Sequence, residues 1–201
     1  MNNTAIIILA AGNASRFGGV KQLLHFNNKT LLQHVVDEAI DADAGSVIVI
    51  TGAYADKISE SVYNKSVEVV YNENWQQGMA SGIVAGVTKA ITLNNNVEKI
   101  IIAVCDQPFV SSGLFNQLYQ KQEESVEHIV ASAYADTIGT PALFTQKYFD
   151  ALLALKGDEG AKKIIKANSD DVATVDFPQG AIDIDTQQDF DDLLDRQKHV
   201  L

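Results

Sequence analysis

Residues 6–24 read IIILAAGNASRFGGVKQLL, and the fold of the chain is read outward from them. Ile6 to Leu9 form a continuous apolar run, the pattern of a strand buried on both faces of a sheet. A turn of small residues, Ala10-Ala11-Gly12, follows at once. Ser15, Arg16, Gly18, Gly19 and Lys21 come next, with one aromatic residue, Phe17, among them. Small residues let backbone N–H groups approach a ligand closely, and Arg16 and Lys21 add fixed positive charge. A polyphosphate suits such a loop best; a turn carrying two solvated cations is the plainer alternative. Counting excludes two familiar phosphate loops. A Walker A loop needs Gly-Lys-Ser/Thr after a glycine and four residues, but Phe17 stands five residues after Gly12 and Gln22 follows Lys21. A dinucleotide GxGxxG fails because Ala14 holds the second glycine position.

Similar apolar runs recur at Ala5–Leu9, Ser46–Thr51, Val67–Tyr71, Lys99–Val104, Ile129–Ala133 and Asp171–Val175. Between them lie amphipathic stretches. Leu31, Leu32, Val35, Val36, Ala39 and Ile40 share one helix face, as do Ile83, Val84, Val87, Ala90 and Ile91. Leu152, Leu153 and Leu155 lead toward a further helix at Gly160–Ala167. Strand–helix alternation predicts a mostly parallel sheet covered on both sides, a three-layer α/β fold in a single domain over 1–201. The stretch from Ala133 to Phe144 alternates less clearly and is expected to leave the main sheet as an excursion.

The chain of 201 residues is 46% hydrophobic and 20% charged, an ordinary globular balance, with a net charge of −11. That charge argues against nucleic acid or an anionic membrane as partner, so an anionic substrate must be met by local cations and a metal. The one cysteine, Cys105, excludes an internal disulfide and suits a reducing cytoplasm. No basic leader precedes Ala5, and no apolar run approaches the ~18 residues of a membrane span, so a cytoplasmic protein is expected.

Ligands of open parallel sheets bind beyond the carboxyl ends of the strands. Two loops with chemical content follow apolar strands: Gly12–Lys21, and Asp106-Gln107-Pro108 directly after KIIIAVC. That placement brings Arg16, Lys21 and Asp106 to one edge. Asp106 suits Mg²⁺, which prefers one or two carboxylates plus phosphate oxygens; a turn or helix-capping role competes. In Asp183-Ile184-Asp185-Thr186, alternation sets both carboxylates on one side, where they repel unless a cation lies between. Thr186 or Asp185 also suits capping of a helix at Gln188–Leu194, with Asp189 in its first turn. Gly139-Thr140-Pro141 and Gly157-Asp158-Glu159-Gly160 are turn-like. Trp75 reads as a loop anchor rather than a stacking platform, and Cys105 as a core residue. The four histidines show no metal-ligand spacing, and no Ser/His/Asp set stands out.

With these residues in view, LAAGNASRFGGVKQLL resembles the signature of nucleotidyltransferases with a GT-A-like, Rossmann-type fold. Within them the chain most resembles the molybdenum cofactor cytidylyltransferase branch, often called MobA-like or MocA-like. NENWQQGMASGIVAG, CDQPFV, GTPALF, LKGDEGAKKII and DIDTQQDFDDL match in the family's order, across nearly the whole chain. The resemblance implies transfer of a nucleoside monophosphate from an NTP to a phosphate-bearing acceptor, with release of pyrophosphate and dependence on Mg²⁺, or Mn²⁺ in its place. It implies catalytic roles for Lys21, Arg16 and Asp106, and metal ligation by Asp106, Asp183 and Asp185. Nucleotide contacts are implied at Leu9, Ala10, Ala11, Gly12, Arg16, Gly18, Lys21 and Ser81. Acceptor contacts are implied at Gly78, Thr140, Pro141 and Asp158. Members using GTP typically read LAGG where CTP users read LAAG, so Ala11 implies CTP. The implied acceptor is a molybdopterin-type cofactor, and the implied partners include a molybdoenzyme or its chaperone. Two departures stand out: Thr140 where the family often has His or Asn, and Gln187 where it commonly has proline. An enzyme of the same superfamily acting on a sugar or polyol phosphate, and a non-catalytic cofactor-maturation factor, are the alternatives.

Overall fold

The structure, a computed structural model, describes residues 3–13, 17 and 19–198. Its strands, in chain order, are β1 (Thr4–Leu9), β2 (His25–Phe26), β3 (Lys29–Thr30), β4 (Gly45–Thr51), β5 (Glu68–Tyr71), β6 (Lys99–Val104), β7 (Ile129–Tyr134), β8 (Thr137–Thr145) and β9 (Val172–Asp176). Its helices are α1 (Leu31–Asp41), α2 (Ala55–Ser61), α3 (Met79–Leu93), α4 (Ser112–Glu124), α5 (Phe149–Leu153), α6 (Ala161–Ala167) and α7 (Gln187–Lys198). One sheet runs β5-β4-β1-β6-β8-β7-β9, and β2 pairs with β3 in a separate hairpin. Within the large sheet only β8 runs against its neighbours.

The apolar runs belong to central strands because both faces of the sheet are covered. Ile6 and Ile8 of β1, Val47 and Val49 of β4, and Ile101 and Ala103 of β6 face one core, against α1, α2 and α4. Ala5, Ile7, Ile48, Ile50, Ile100 and Ile102 face the other, against α3, α5 and α6. The mostly parallel three-layer arrangement is as the sequence implies. A third, smaller core gathers Phe26, Leu31, Ile184, Phe190 and Leu193, and so fixes the hairpin and α7 beside one end of the sheet. Thr30 starts α1 through a capping box: its hydroxyl accepts from Gln33 N, and the Gln33 side chain accepts from Thr30 N.

Contrary to expectation, residues 133–144 do not leave the main sheet. The stretch enters the sheet as β8, antiparallel between β6 and β7. Pro141 to Thr145 are all buried, as an interior strand requires. The turn before it is hard to read because Ala135 and Asp136 both take positive φ, 44° and 58°. Such two-residue hairpin turns ordinarily carry Asn-Gly or Asp-Gly, and alanine gives no signal of one.

α3 crosses the sheet closely at Gly86. A Cβ there would lie 2.5 Å from Ile7 Cγ2, whereas one at Gly82 would meet its nearest neighbour, Leu9 Cδ2, at 3.5 Å. Ile7 is fully buried and cannot retreat. Gly86→Ala is therefore expected to destabilise by about 1–3 kcal/mol, lowering the melting temperature by roughly 2–12 °C. Gly82→Ala is expected to leave it unchanged or slightly raised, since alanine is the better helix former. Thermal unfolding of both variants checks the contrast.

Candidate active site

Three chain segments meet at the carboxyl ends of β1 and β6. The first is the Ala10-Ala11-Gly12 turn, which leaves β1. Ala10 is buried, with its N–H donated to Ile50 O at 2.9 Å. Gly52 lets this turn settle: a Cβ there would lie 2.6 Å from Ala11 O and 2.7 Å from Trp75 Cβ. Trp75 lies against Gly52 and also lines the cleft beside Ala11 and Gly12. The loop then returns through a 3₁₀ turn at Lys21–Leu23. Within it Gln22 is 1% exposed, and its Nε2 donates to Ala10 O at 3.1 Å and Gly12 O at 2.8 Å. Arg16 and Gly18, assigned nucleotide contacts by resemblance, lie outside the described residues, as do Ala14 and Ser15.

The second segment leaves β6 as Cys105-Asp106-Gln107. Cys105 is buried, and burial, reinforced by the Asp106 charge, pushes its thiol up to about 12, so it is an inert core residue. Buried Gln107 donates through Nε2 to Gly180 O at 3.1 Å, and Ile184 N donates to Asp106 O at 3.0 Å. These bonds bind the third segment, Asp183-Ile184-Asp185, to the second. Ile184 sinks fully into the smallest core, so the aspartates on either side of it are left on the cleft side, as alternation implies. Thr186 and Asp189 then cap α7: Asp189 Oδ2 accepts from Thr186 N at 2.7 Å, and Asp189 N donates to Thr186 Oγ1 at 3.2 Å.

Lys21 joins all three. Its Nζ donates to Asp106 Oδ2 and to Asp185 Oδ1, both at 2.8 Å. Burial opposes the charged ammonium, but the Asp106 carboxylate and the hydrogen bonds to Asp106 and Asp185 outweigh it and hold the lysine pKa well above its ordinary value. Asp183 sits close by, with no such cationic partner among the described residues. Burial first, and then the Asp185 and Asp106 charges, raise its carboxyl pKa. Three acidic groups thus crowd one place, with a single described cation between two of them.

Two cavities border Asp106. The larger, about 490 Å³, holds Leu9, Ala11, Gly12, Lys21, Gly78, Asp158 and Asp185 from the sequence-derived set. The smaller, about 270 Å³, holds Thr140 and Asp183, together with Tyr134 and Gln107. The residues expected to contact an acceptor are therefore divided, with Gly78 and Asp158 on one side and Thr140 on the other. Gly78 and Asp158 belong together because the 157–160 turn seats on the start of α3. Ala80 N donates to Gly157 O at 3.1 Å, and Gly78, at φ 101°, has no room for a Cβ against Gly157 O. Pro141 lines neither cavity: it is buried in β8, where its carbonyl accepts from Ser132 Oγ at 2.7 Å. Ser81 is not among the lining residues either; its hydroxyl donates to Gly78 O and accepts from Asn72 Nδ2, each at 2.8 Å. Among the described residues no three His, Cys, Asp or Glu side chains are gathered to hold a metal ion as they stand. Asp106 and Asp185 still fit a Mg²⁺-type ion, which takes one or two carboxylates and completes its shell with phosphate and water oxygens.

Residues 6–172 match the MobA-like NTP transferase domain. The chain belongs to that family. It is a nucleotidyltransferase, as the cleft at the strand ends and its resident lysine and aspartates suit. The chain is 26% identical over 170 residues to nicotine blue oxidoreductase of Paenarthrobacter nicotinovorans, covering 80% of each protein. It superposes on the crystal structure of Rv0371c from Mycobacterium tuberculosis H37Rv with a TM-score of 0.80 at 26% identity, over 97% of this chain and 99% of that one. A manganese complex of the same Rv0371C superposes with a TM-score of 0.77 at 25% identity, over 96% of this chain and 99% of that one. No helix among the described residues is long and apolar enough to cross a membrane.

Lys21 is 14% exposed while its partners Asp106 and Asp185 are 22% and 49% exposed, so the bridge lies between the surface and buried limits. Lys21→Met is expected to cost about 1–3 kcal/mol by leaving the carboxylates unpaired. The lysine pKa is raised on folding, so the bridge contributes fully below the unfolded value and is lost only as pH rises through the folded one. The stability difference between wild type and Lys21→Met should therefore stay flat from about pH 6 to about pH 9 in denaturant titrations.

Proposed function

We propose that the chain transfers CMP from CTP to the phosphate of a molybdopterin-type cofactor and releases pyrophosphate. The observation that carries this reading is the meeting of Lys21, Asp106 and Asp185 in the cleft lined by Ala11 and Gly12. CTP follows from the resemblance, through Ala11 in the LAAG motif. The acceptor class follows from the family resemblance along the chain.

An oxygen of the acceptor phosphate attacks the α-phosphorus. A new P–O bond forms as the bond to the β-phosphate oxygen breaks, and pyrophosphate leaves with that electron pair. A terminal phosphate is already ionised near neutral pH, so no strong general base is needed and catalysis becomes positioning and charge neutralisation. Asp106, with Asp185 or Asp183, would hold Mg²⁺ or Mn²⁺, whose charge neutralises the phosphate oxygens; the manganese complex of Rv0371C supports a divalent ion here. Lys21 stabilises charge developing at the α-phosphate, since its ammonium stays protonated through the neutral range. Arg16 and the loop N–H groups would hold the β- and γ-phosphates. Asp183, Thr140 and Tyr134 line the smaller cavity beyond Asp106, where the acceptor would enter. Recipient molybdoenzymes or their chaperones would take the product.

A panel of four NTPs against molybdopterin and several sugar and polyol phosphates, read by pyrophosphate release and product mass, tests this reading. CTP with molybdopterin should turn over fastest, and no reduction of nicotine blue should occur. Asp106→Ala should lower turnover roughly 10²–10³-fold with little change in nucleotide affinity. Preference for a sugar phosphate or for GTP overturns the substrate assignment; near-normal turnover by Asp106→Ala overturns the metal role.

A further inference from the structure

Gln22 is buried beside Lys21 and is not a nucleotide contact in the reading above. Its carboxamide spends both Nε2 hydrogens on two carbonyls of one turn, Ala10 O and Gly12 O. Its Oε1 is buried with no partner among the described residues. An unpaired buried acceptor is a standing cost, and leucine or methionine would fill the same space without it. The position is therefore explained by its donors rather than by its volume.

Those donors set a direction. In a trans peptide the N–H points opposite to the C=O of the preceding residue. With the Ala10 and Gly12 carbonyls turned onto Gln22, the N–H groups of Ala11 and Asn13 are oriented away from it. Ala11, Gly12 and Asn13 all line the larger cavity, and Gln22 itself borders it at the edge of the turn. The same side chain ties Gly12 to position 22, so it holds together the two ends of the intervening loop. We propose that Gln22 is a positioning residue: it aims the Ala11 and Asn13 N–H groups at the bound nucleotide and keeps the base of the loop closed. The proposal rests on the reading that this cleft takes a nucleoside triphosphate.

Gln22→Glu keeps shape but sets acceptors against two carbonyls, and Gln22→Met keeps bulk without donors. Each is assayed with whichever NTP the wild type prefers, alongside Val130→Ala, a change at a fully buried β7 residue that serves as the control for lost stability. Losing one or two oriented neutral hydrogen bonds should raise KM for the NTP about three- to tenfold in Gln22→Met, and more in Gln22→Glu. Turnover at saturating NTP and KM for the acceptor should stay near wild type, and Val130→Ala should show no change in KM. In ¹⁵N-labelled wild type the Ala11 and Asn13 amide resonances should shift on nucleotide addition, and in Gln22→Met those shifts should shrink. Should Gln22→Glu fail to fold, Gln22→Met alone decides. The proposal is overturned if Gln22→Met binds the NTP as wild type does, or behaves like Val130→Ala. A wild type that prefers an NTP other than CTP overturns the cytidylyl reading and leaves this comparison intact.

Discussion

One ammonium group holds the site together. Lys21 reaches Asp106 across 85 residues of chain and Asp185 across 164. Without it, Asp106 and Asp185 would share the larger cavity with no other cation among its described lining residues, and Asp183 would add its charge from the smaller one, in an already acidic protein. Neighbouring like charges disfavour one another's ionised forms. The lysine neutralises two of the three, and in doing so it draws the end of β1, the end of β6 and the segment before α7 into one cavity.

The frame around that contact is set by small residues and buried amides. Gly86 brings α3 against β1, Gly52 lets the first turn close under Trp75, and Gly78 lets the 157–160 turn seat on the start of α3. Gln22 and Gln107 then tie each charged segment to its neighbour through backbone carbonyls. Each glutamine directly follows a charged residue of the site, so the backbone that places the charge is itself held. Fixed geometry of this kind is what a phosphoryl-transfer site needs, since its chemistry consists mostly of orientation and charge placement.

Much of this was legible in the residues. The buried parallel strands announce themselves as isoleucine and valine runs, and the DID segment alternates around Ile184 as its pattern implies. The β8 strand was not legible, because its turn uses alanine at positive φ and its register depends on β6, more than thirty residues earlier in the chain. Pro141 reads as part of a loop motif, yet the sheet buries it. The residues expected to contact an acceptor read as one group because the resemblance supplies them together, while the fold places Gly78 and Asp158 on one side of Asp106 and Thr140 on the other. The glutamines were missed as determinants, although a polar side chain between Lys21 and Leu23 in an otherwise apolar return is a signal. The pairing of Lys21 with Asp185 has no local signature at all: it is a tertiary consequence of where α7 docks.

The central claim is that Lys21 and the aspartates form one phosphate- and metal-binding centre. The most direct measurement is a crystal structure with Mn²⁺ and a non-hydrolysable CTP analogue, with the metal located by anomalous scattering. Manganese is expected on Asp106 and one of Asp183 or Asp185, with Lys21 Nζ turned from at least one carboxylate to the α-phosphate. Manganese bound elsewhere, or a nucleotide bound while Lys21 keeps both carboxylates, contradicts the claim.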